Sequence, residues 1–340
     1  MGEFNDFLYF YPPVKKIRRG GLGSTIFIIK GTEKQLLIDP SVKGGGIQKK
    51  CAMKMEKDGI SIENTDAILL THTHPDHMVA TSYWRNMIDK ETPIPVYVHP
   101  AGVEVLANPK LLGARLVQRA KHFQQAISKM PVRLGDLGMR MLWGKQEKIH
   151  DAVPLKNMQV FDLGNIVVTA IFTPGHDISH VAYKIEEKAR DGPVILLSGD
   201  MISFKEITEG EGIRALASVN TASSLFDAEL KSLRRILQDP PDVLFTSHYG
   251  IFEPKEVIIE HFRDAVELAE TYKPKILKIL QEGPKSFKEI TKELIWFDHY
   301  LSGYATRTST VFCIIREMLN ANQIIEINKK KHLFALALEG

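Results

Sequence analysis

Between Thr71 and His77 the chain reads Thr-His-Thr-His-Pro-Asp-His, which sets His72, His74, Asp76 and His77 within six residues. Imidazole and carboxylate are ligands for zinc, iron and manganese. Packing alone does not favour such a concentration directly after an apolar run, although a histidine-rich surface turn is the plain alternative. Three more residues of ligand type come later: His176 in Thr-Pro-Gly-His, Asp200 in Ser-Gly-Asp and His248 in Thr-Ser-His-Tyr-Gly. Seven candidates exceed the roughly four that one tetrahedral ion takes, but they suit two ions with a shared ligand. Asp200, alone at its position, is the economical bridge, because its two oxygens can each hold one metal. Two ions about 3.5–4 Å apart lower the pKa of a shared water towards neutrality and stabilise charge developing on a substrate. Such a centre fits hydrolysis of an ester, thioester, amide or phosphodiester, with the metal-bridging hydroxide as nucleophile.

Each candidate follows an apolar run of strand length. Residues 24–29, 35–38, 66–70, 93–98, 158–162, 166–172, 181–185, 194–197 and 243–245 read as strands from their β-branched, aromatic and apolar content. The 66–70 run delivers the first cluster, 166–172 delivers His176, 194–197 delivers Asp200, and 243–245 delivers His248. Strand ends at one edge of a sheet are where an α/β scaffold gathers residues distant in sequence. Helical patterning marks 47–58, 78–90, 228–237 and 254–272, with Pro274 as the expected break. Residues 101–156, with helical patches near 103–107 and 111–130, interrupt two strand-rich blocks and read as a lid-like insertion. His122, Trp143 and His150 within it read as packing or surface. The glycines at 44–46 precede no Gly-Lys-Ser/Thr, so they read as a flexible turn and not a phosphate loop.

The chain has 340 residues, 44% of them hydrophobic, and a net charge of +3 from 44 basic and 41 acidic residues. That length suggests about two domains. The charge is too small to argue for nucleic acid or an acidic membrane. Only Cys51 and Cys313 are present, which predicts no disulfide framework and a reducing, cytoplasmic setting. No signal-peptide pattern opens the chain, and no uninterrupted apolar run of about 18 residues occurs, so no membrane span is expected.

The 71–77 stretch resembles the His-x-His-x-Asp-His motif of the metallo-β-lactamase fold superfamily. Asp39, His176, Asp200 and His248 follow in that family's order, and the resemblance extends from about residue 20 to 265. It implies an α/β (α+β) fold, an αββα sandwich of two mixed sheets with helices outside and the metals at one edge. It also implies that His72, His74 and His176 hold one divalent ion, that Asp76, His77 and His248 hold a second, and that Asp200 bridges. Zinc is the first expectation, with iron or manganese as alternatives. Asp76 is additionally the candidate proton donor to the leaving group. An aspartate at 200, where the di-zinc β-lactamases carry cysteine, is similar to the glyoxalase II and RNA-processing branches. The family's second Pro-Gly-His is replaced here by Asp177-Ile178-Ser179-His180. His180 and Tyr249 are the candidate substrate-binding residues, His180 alternatively supporting the ligand strand.

After Pro274 the pattern is that of a small separate unit: helices at 275–282, 287–295 and 305–320, then strands at 324–327 and 332–337. Ser286 and Glu289 have the spacing of a capping box. Three helices and a two-stranded wing resemble a winged-helix domain like that of the mammalian β-lactamase-like protein 2 group. The expected division is therefore 1–272, a metallo-β-lactamase-like hydrolase, and 273–340, winged-helix-like. Lys329, Lys330 and Lys331 at the wing tip could meet phosphate, but packing on the hydrolase or a homodimer contact is favoured. The favoured function is a dinuclear hydrolase of a small thioester or ester, resembling glyoxalase II. The alternatives are a phosphodiesterase or endoribonuclease acting on single-stranded RNA, and a non-catalytic metal-bound or DNA-binding regulator.

Overall fold

Leu36, Leu37 and Ile38 lie on one strand, yet all three are buried. Successive residues of a strand point to opposite faces, so this strand must be covered on both sides. The computed structural model shows what covers it; it describes residues 7–12, 16–17, 20–21, 23–43, 46–88, 91–111, 144–189, 191–206, 213–221, 223–294 and 303–337. Leu36 and Ile38 join a core between two sheets, with Ala67, Leu69, Val168, Val181, Tyr183, Ile195, Leu197 and Phe245. Leu37 points the other way, towards Ile47, Cys51 and Met55 of the Ile47–Lys57 helix and towards Trp84.

Two six-stranded sheets form the sandwich. The first runs Leu8–Tyr11, Ile26–Lys30, Gln35–Ile38, Thr65–Leu69, Val96–Val98 and Val153–Pro154, and its pairing is parallel from Gln35–Ile38 onward. The second runs Gly250–Phe252, Val243–Thr246, Ile195–Leu197, Val181–Glu187, Ile166–Phe172 and Gln159–Asp162. Its outer face packs on Leu233 and Ile236 of the Phe226–Gln238 helix and on Ile258, Phe262 and Ala265 of the Lys255–Glu270 helix. Helix, sheet, sheet and helix make the four αββα layers expected of the sequence.

Several local expectations change. The helix expected over 78–90 starts earlier and is broken, as Pro75–Met78 and Thr81–Met87. Pro75 is pre-set for a first helical position, where its missing N–H costs nothing. The Lys255–Glu270 helix ends just before Pro274, as expected, and Pro274 itself sits in the first turn of the next helix, Tyr272–Gln281, where an amide donor is not needed. An unforeseen hairpin, Ile202–Glu206 with Ile213–Ala217, follows Asp200. The ends of the expected insertion belong to the core: Val105 and Leu106 of the Pro100–Ala107 helix, Ile149 and Leu155 are buried, while His150 is exposed. Its centre, including the 111–130 patch beyond Leu111, His122 and Trp143, lies outside the described residues.

The C-terminal segment runs Tyr272–Gln281, Lys285–Ser286, Phe287–Glu293, Gly303–Asn320, Ile324–Asn328 and Leu333–Leu336. The two-residue strand, too short to show periodicity, completes a three-stranded sheet by pairing with Leu333–Leu336. The capping box forms: Ser286 Oγ accepts from Glu289 N at 3.3 Å and Ser286 N donates to the Glu289 carboxylate at 2.7 Å. The core of this segment is shared, since Ile276, Ile290, Phe312, Ile315 and Phe334 pack with Leu216, Val219, Phe226 and Leu230. Cys51 and Cys313 are buried in separate helices, and neither is in a disulfide. Among the described residues no helix is long and apolar enough to cross a membrane.

Candidate metal centre

The Thr65–Leu69 strand leads into a turn that neighbouring strand ends pin from two sides. Asp39 follows the adjacent Gln35–Ile38 strand and is fully buried. Its carboxylate accepts from Thr71 N at 2.8 Å, Thr71 Oγ1 at 2.7 Å and His77 Nδ1 at 2.8 Å. Aiming it there requires a left-handed backbone: φ is 54° at Asp39 and 63° at Ser41, on either side of Pro40. Such conformations cost about 1–3 kcal/mol each and persist where the surroundings over-determine them. Here Trp84 Nε1 donates to Pro40 O at 2.9 Å, and Ser41 exchanges backbone hydrogen bonds with His77 and Ala80. On the other side, Val181 N donates to Thr71 O at 2.7 Å, tying the second sheet to the same turn.

All seven sequence-predicted ligands come together at this edge. His72 Nε2 is 3.0 Å from His74 Nδ1, which is 2.9 Å from His176 Nε2. Asp76 Oδ2 lies 3.4 Å from His248 Nε2 and 3.8 Å from His77 Nε2. Each trio keeps its ligand atoms within 4.8 Å of one another, as would suit one ion. One Asp200 oxygen stands between them, 3.6 Å from His176 Nε2, 3.5 Å from His77 Nε2 and 3.3 Å from His248 Nε2.

The hydrogen bonds behind the rings decide which nitrogens face inward. The Asp39 carboxylate can only accept, so the proton that a neutral His77 ring keeps is on Nδ1, and Nε2 is the nitrogen that can ligate. Thr71 Oγ1 donates to Asp39, so it accepts from His72 Nδ1 at 3.0 Å, which aims the His72 Nε2 lone pair at the first trio. His176 Nδ1 donates to Ser218 O at 2.9 Å with the same result. His77 Nε2 is buried and has no hydrogen-bond partner of its own. Converging lone pairs and an orphaned buried nitrogen beside two carboxylates are what a cation satisfies. The residues fit a metal centre.

Charge differs between the halves. Burial drives the His72 imidazole well below its ordinary value and His176 down to about 4, neighbouring histidines adding to both. These stay neutral, the ligand form. Burial also opposes charge on His77 and His248, but carboxylates outweigh it. Asp200, Asp39 and Asp76 hold His77 well above its ordinary value, and Asp200 with Asp76 raises His248 to about 10. The second trio therefore lies among carboxylates that favour the charged form of its two histidines.

Two glycines permit this geometry. A Cβ on Gly175 would meet Glu229 Oε2 at 1.9 Å, and Gly199, at φ +56°, would press a Cβ within 2.6 Å of His180 Nε2. Residues 19–248 match the family model described as Metallo-beta-lactamase superfamily.

The chain belongs to the metallo-beta-lactamase superfamily. Members of this superfamily are metal-dependent hydrolases, and so is this chain. Solved structures agree in fold. A metallo-beta-lactamase family protein from Thermus thermophilus is 16% identical with a TM-score of 0.68, over 97% of this chain and 98% of that one. A beta-lactamase domain protein from Burkholderia ambifaria is 15% identical with a TM-score of 0.66, over 97% and 92%. An archaeal superfamily protein from Sulfolobus tokodaii is 19% identical with a TM-score of 0.54, over 76% and 85%. The first two span the C-terminal segment as well as the sandwich.

The two candidate substrate residues separate. His180 is fully buried behind the ligands; its Nε2 accepts from Asp200 N at 3.0 Å and its Nδ1 meets Thr173 Oγ1 at 2.8 Å. Tyr249 is 39% exposed beside His248. Several supporting residues carried little or no sequence signal. Asp39 stood in the motif order without a role. Ser218 contacts His176 across 42 residues of sequence. Asp177 Oδ1 binds Ser179, while its Oδ2 lies 3.7 Å from His74 Nε2. Glu229 Oε2 accepts from His176 N at 2.7 Å, and burial keeps that carboxyl well above its ordinary value. Only Glu229 had a readable signal, an acid on the apolar face of the Phe226–Gln238 helix between Phe226 and Leu230.

Proposed function

We propose that the chain is a dinuclear hydrolase of a small thioester or ester, similar to glyoxalase II. The observation that carries the two-metal reading is the pair of ligand trios with one Asp200 oxygen within 3.3–3.6 Å of members of both. His72, His74 and His176 would hold one divalent ion, Asp76, His77 and His248 the other, and Asp200 both. Zinc suits this nitrogen-rich set, and the carboxylates also admit iron or manganese. Bound there, the ions would supply an activated water at neutral pH and stabilise negative charge on the substrate oxygen.

The remaining chemistry falls to the chain. His77 and His248 lose their protons when they ligate. Asp76 is held well below the ordinary carboxylate range, because His77 and then His248 outweigh the effect of burial. That charge state supports ligation or proton acceptance, not donation to the leaving group. His180 supports Asp200 through its backbone amide and does not reach substrate. Burial and then the Asp200 charge push the Tyr249 phenol up to about 12. Tyr249 therefore keeps its proton at neutral pH and can donate a hydrogen bond to a substrate carbonyl.

Ribonuclease action is the second reading. Its support is the C-terminal order of helix, strand, two helices and two strands, the winged-helix order, with Lys329–Lys331 exposed at the turn. The deciding experiment loads the purified protein with two equivalents of zinc or manganese and supplies a panel of acyl-thioesters and esters beside single-stranded RNA. Multiple-turnover acyl cleavage that Asp200→Ala abolishes is expected. RNA cleavage with no acyl turnover would replace the favoured reading with the second.

A further inference from the structure

His176 is held at three points. Its amide donates to Glu229, its carbonyl accepts from Ser224 Oγ at 2.8 Å, and its ring donates to Ser218 O at 2.9 Å. Ser218 and Ser224 bracket one segment after the Ile213–Ala217 strand, and both are buried. Buried backbone carbonyls need partners, and this segment belongs to neither large sheet. Its carbonyls are met from the far end of the chain. On the Gly303–Asn320 helix, Thr310 Oγ1 donates to Val219 O at 2.6 Å, Cys313 Sγ to Thr221 O at 3.2 Å and Arg316 Nη2 to Ser224 O at 2.5 Å. Positions 310, 313 and 316 are spaced by three, so they form one helical face, and that face donates to the carbonyls of Val219, Thr221 and Ser224.

We infer that this C-terminal helix is a positioning device for the first metal trio. Thr310, Cys313 and Arg316 are positioning residues: they place the 218–224 segment, and the segment sets the orientation and tautomer of His176. The inference rests on the dinuclear reading and assigns the C-terminal segment a role at the metal centre that requires no nucleic acid. The same interface supplies its own control. Lys273 pairs with Asp227 at 2.5 Å and lies 3.9 Å from Glu317 of the Gly303–Asn320 helix, so it joins the same two parts of the chain through groups other than the Val219, Thr221 and Ser224 carbonyls.

The test titrates metal-free, full-length protein with cobalt(II) and follows both heat and the visible d–d spectrum. Two equivalents bound by the unsubstituted protein check the dinuclear reading; binding of none would overturn that reading separately. In Thr310→Val and Arg316→Met the first-trio affinity is expected to fall about five- to tenfold, towards the low end for residues that orient ligands, with an altered d–d envelope. Second-trio binding stays unchanged. Arg316→Lys, which keeps a donor, restores the affinity, and Lys273→Met leaves both sites intact. Thr310→Val removes one hydroxyl at nearly constant volume, so it decides the matter even where Arg316→Met fails to fold. Unchanged affinity and spectrum in Thr310→Val, or an equal loss in Lys273→Met, overturns the inference.

Discussion

Asp39→Asn isolates the hydrogen bonding that gives the second trio its ligand geometry. The substitution is nearly isosteric, and Asn tolerates the left-handed backbone at φ 54°. What changes is hydrogen-bond sign. One Asp39 oxygen accepts from both Thr71 Oγ1 and His77 Nδ1, at 2.7 and 2.8 Å, and the other accepts from Thr71 N at 2.8 Å. An amide has one acceptor oxygen, so in either orientation its NH2 group faces a buried donor. Facing Thr71 N, it leaves an unsatisfied amide that costs about 1–3 kcal/mol. Facing His77, it forces the imidazole to accept at Nδ1 and to carry its proton on Nε2, the atom that must ligate. The expected result is a loss of about 1–3 kcal/mol in urea unfolding of the metal-free protein. Affinity of the second ion should fall about 10–100-fold. First-ion affinity should change less, since Thr71 Oγ1 has two lone pairs and can still accept from His72 Nδ1. Calorimetric zinc titration separates the two events. Two ions bound at unchanged affinities, or equal losses at both sites, would refute the tautomer argument.

Two further outcomes follow from the same geometry. His248, raised to about 10, is protonated in the metal-free protein at pH 8 and must lose that proton to ligate, and the same carboxylates favour the charged form of His77. Second-site binding at pH 8 should therefore release at least the His248 proton, with apparent affinity climbing as pH rises towards 10; calorimetry in buffers of different ionisation enthalpy reads the number, and zero release would contradict the assignment. Trp84 is fully buried and bonded to Pro40 O at 2.9 Å, so Trp84→Ala should cost about 3–5 kcal/mol in urea unfolding, whereas Trp84→Phe should retain most of that.

Much of the site was legible because its ligands obey local rules. A metal cluster needs chemistry-bearing residues at strand ends, and apolar runs such as 35–38 and 166–172 mark those ends within a residue or two. What could not be read was contact across distance. Asp39 reaches Thr71 over 32 residues, Ser218 reaches His176 over 42 and Glu229 reaches His176 over 53, and no periodicity encodes such pairs. The fold misses have equally physical causes. The 78–90 helix was read as unbroken, but Pro75 starts a separate turn, Pro75–Met78, ahead of Thr81–Met87. The Lys285–Ser286 strand is too short to carry a pattern. His180 stood beside a ligand motif, and only the fold shows both its ring nitrogens bonded inside the protein.

Anomalous diffraction at the zinc edge, from crystals grown with excess zinc, tests the dinuclear centre most directly. Two peaks are predicted, one within reach of His72 Nε2, His74 Nδ1 and His176 Nε2, the other of Asp76, His77 Nε2 and His248 Nε2, with Asp200 contacting both. A single peak, or two peaks that Asp200 does not join, would contradict it.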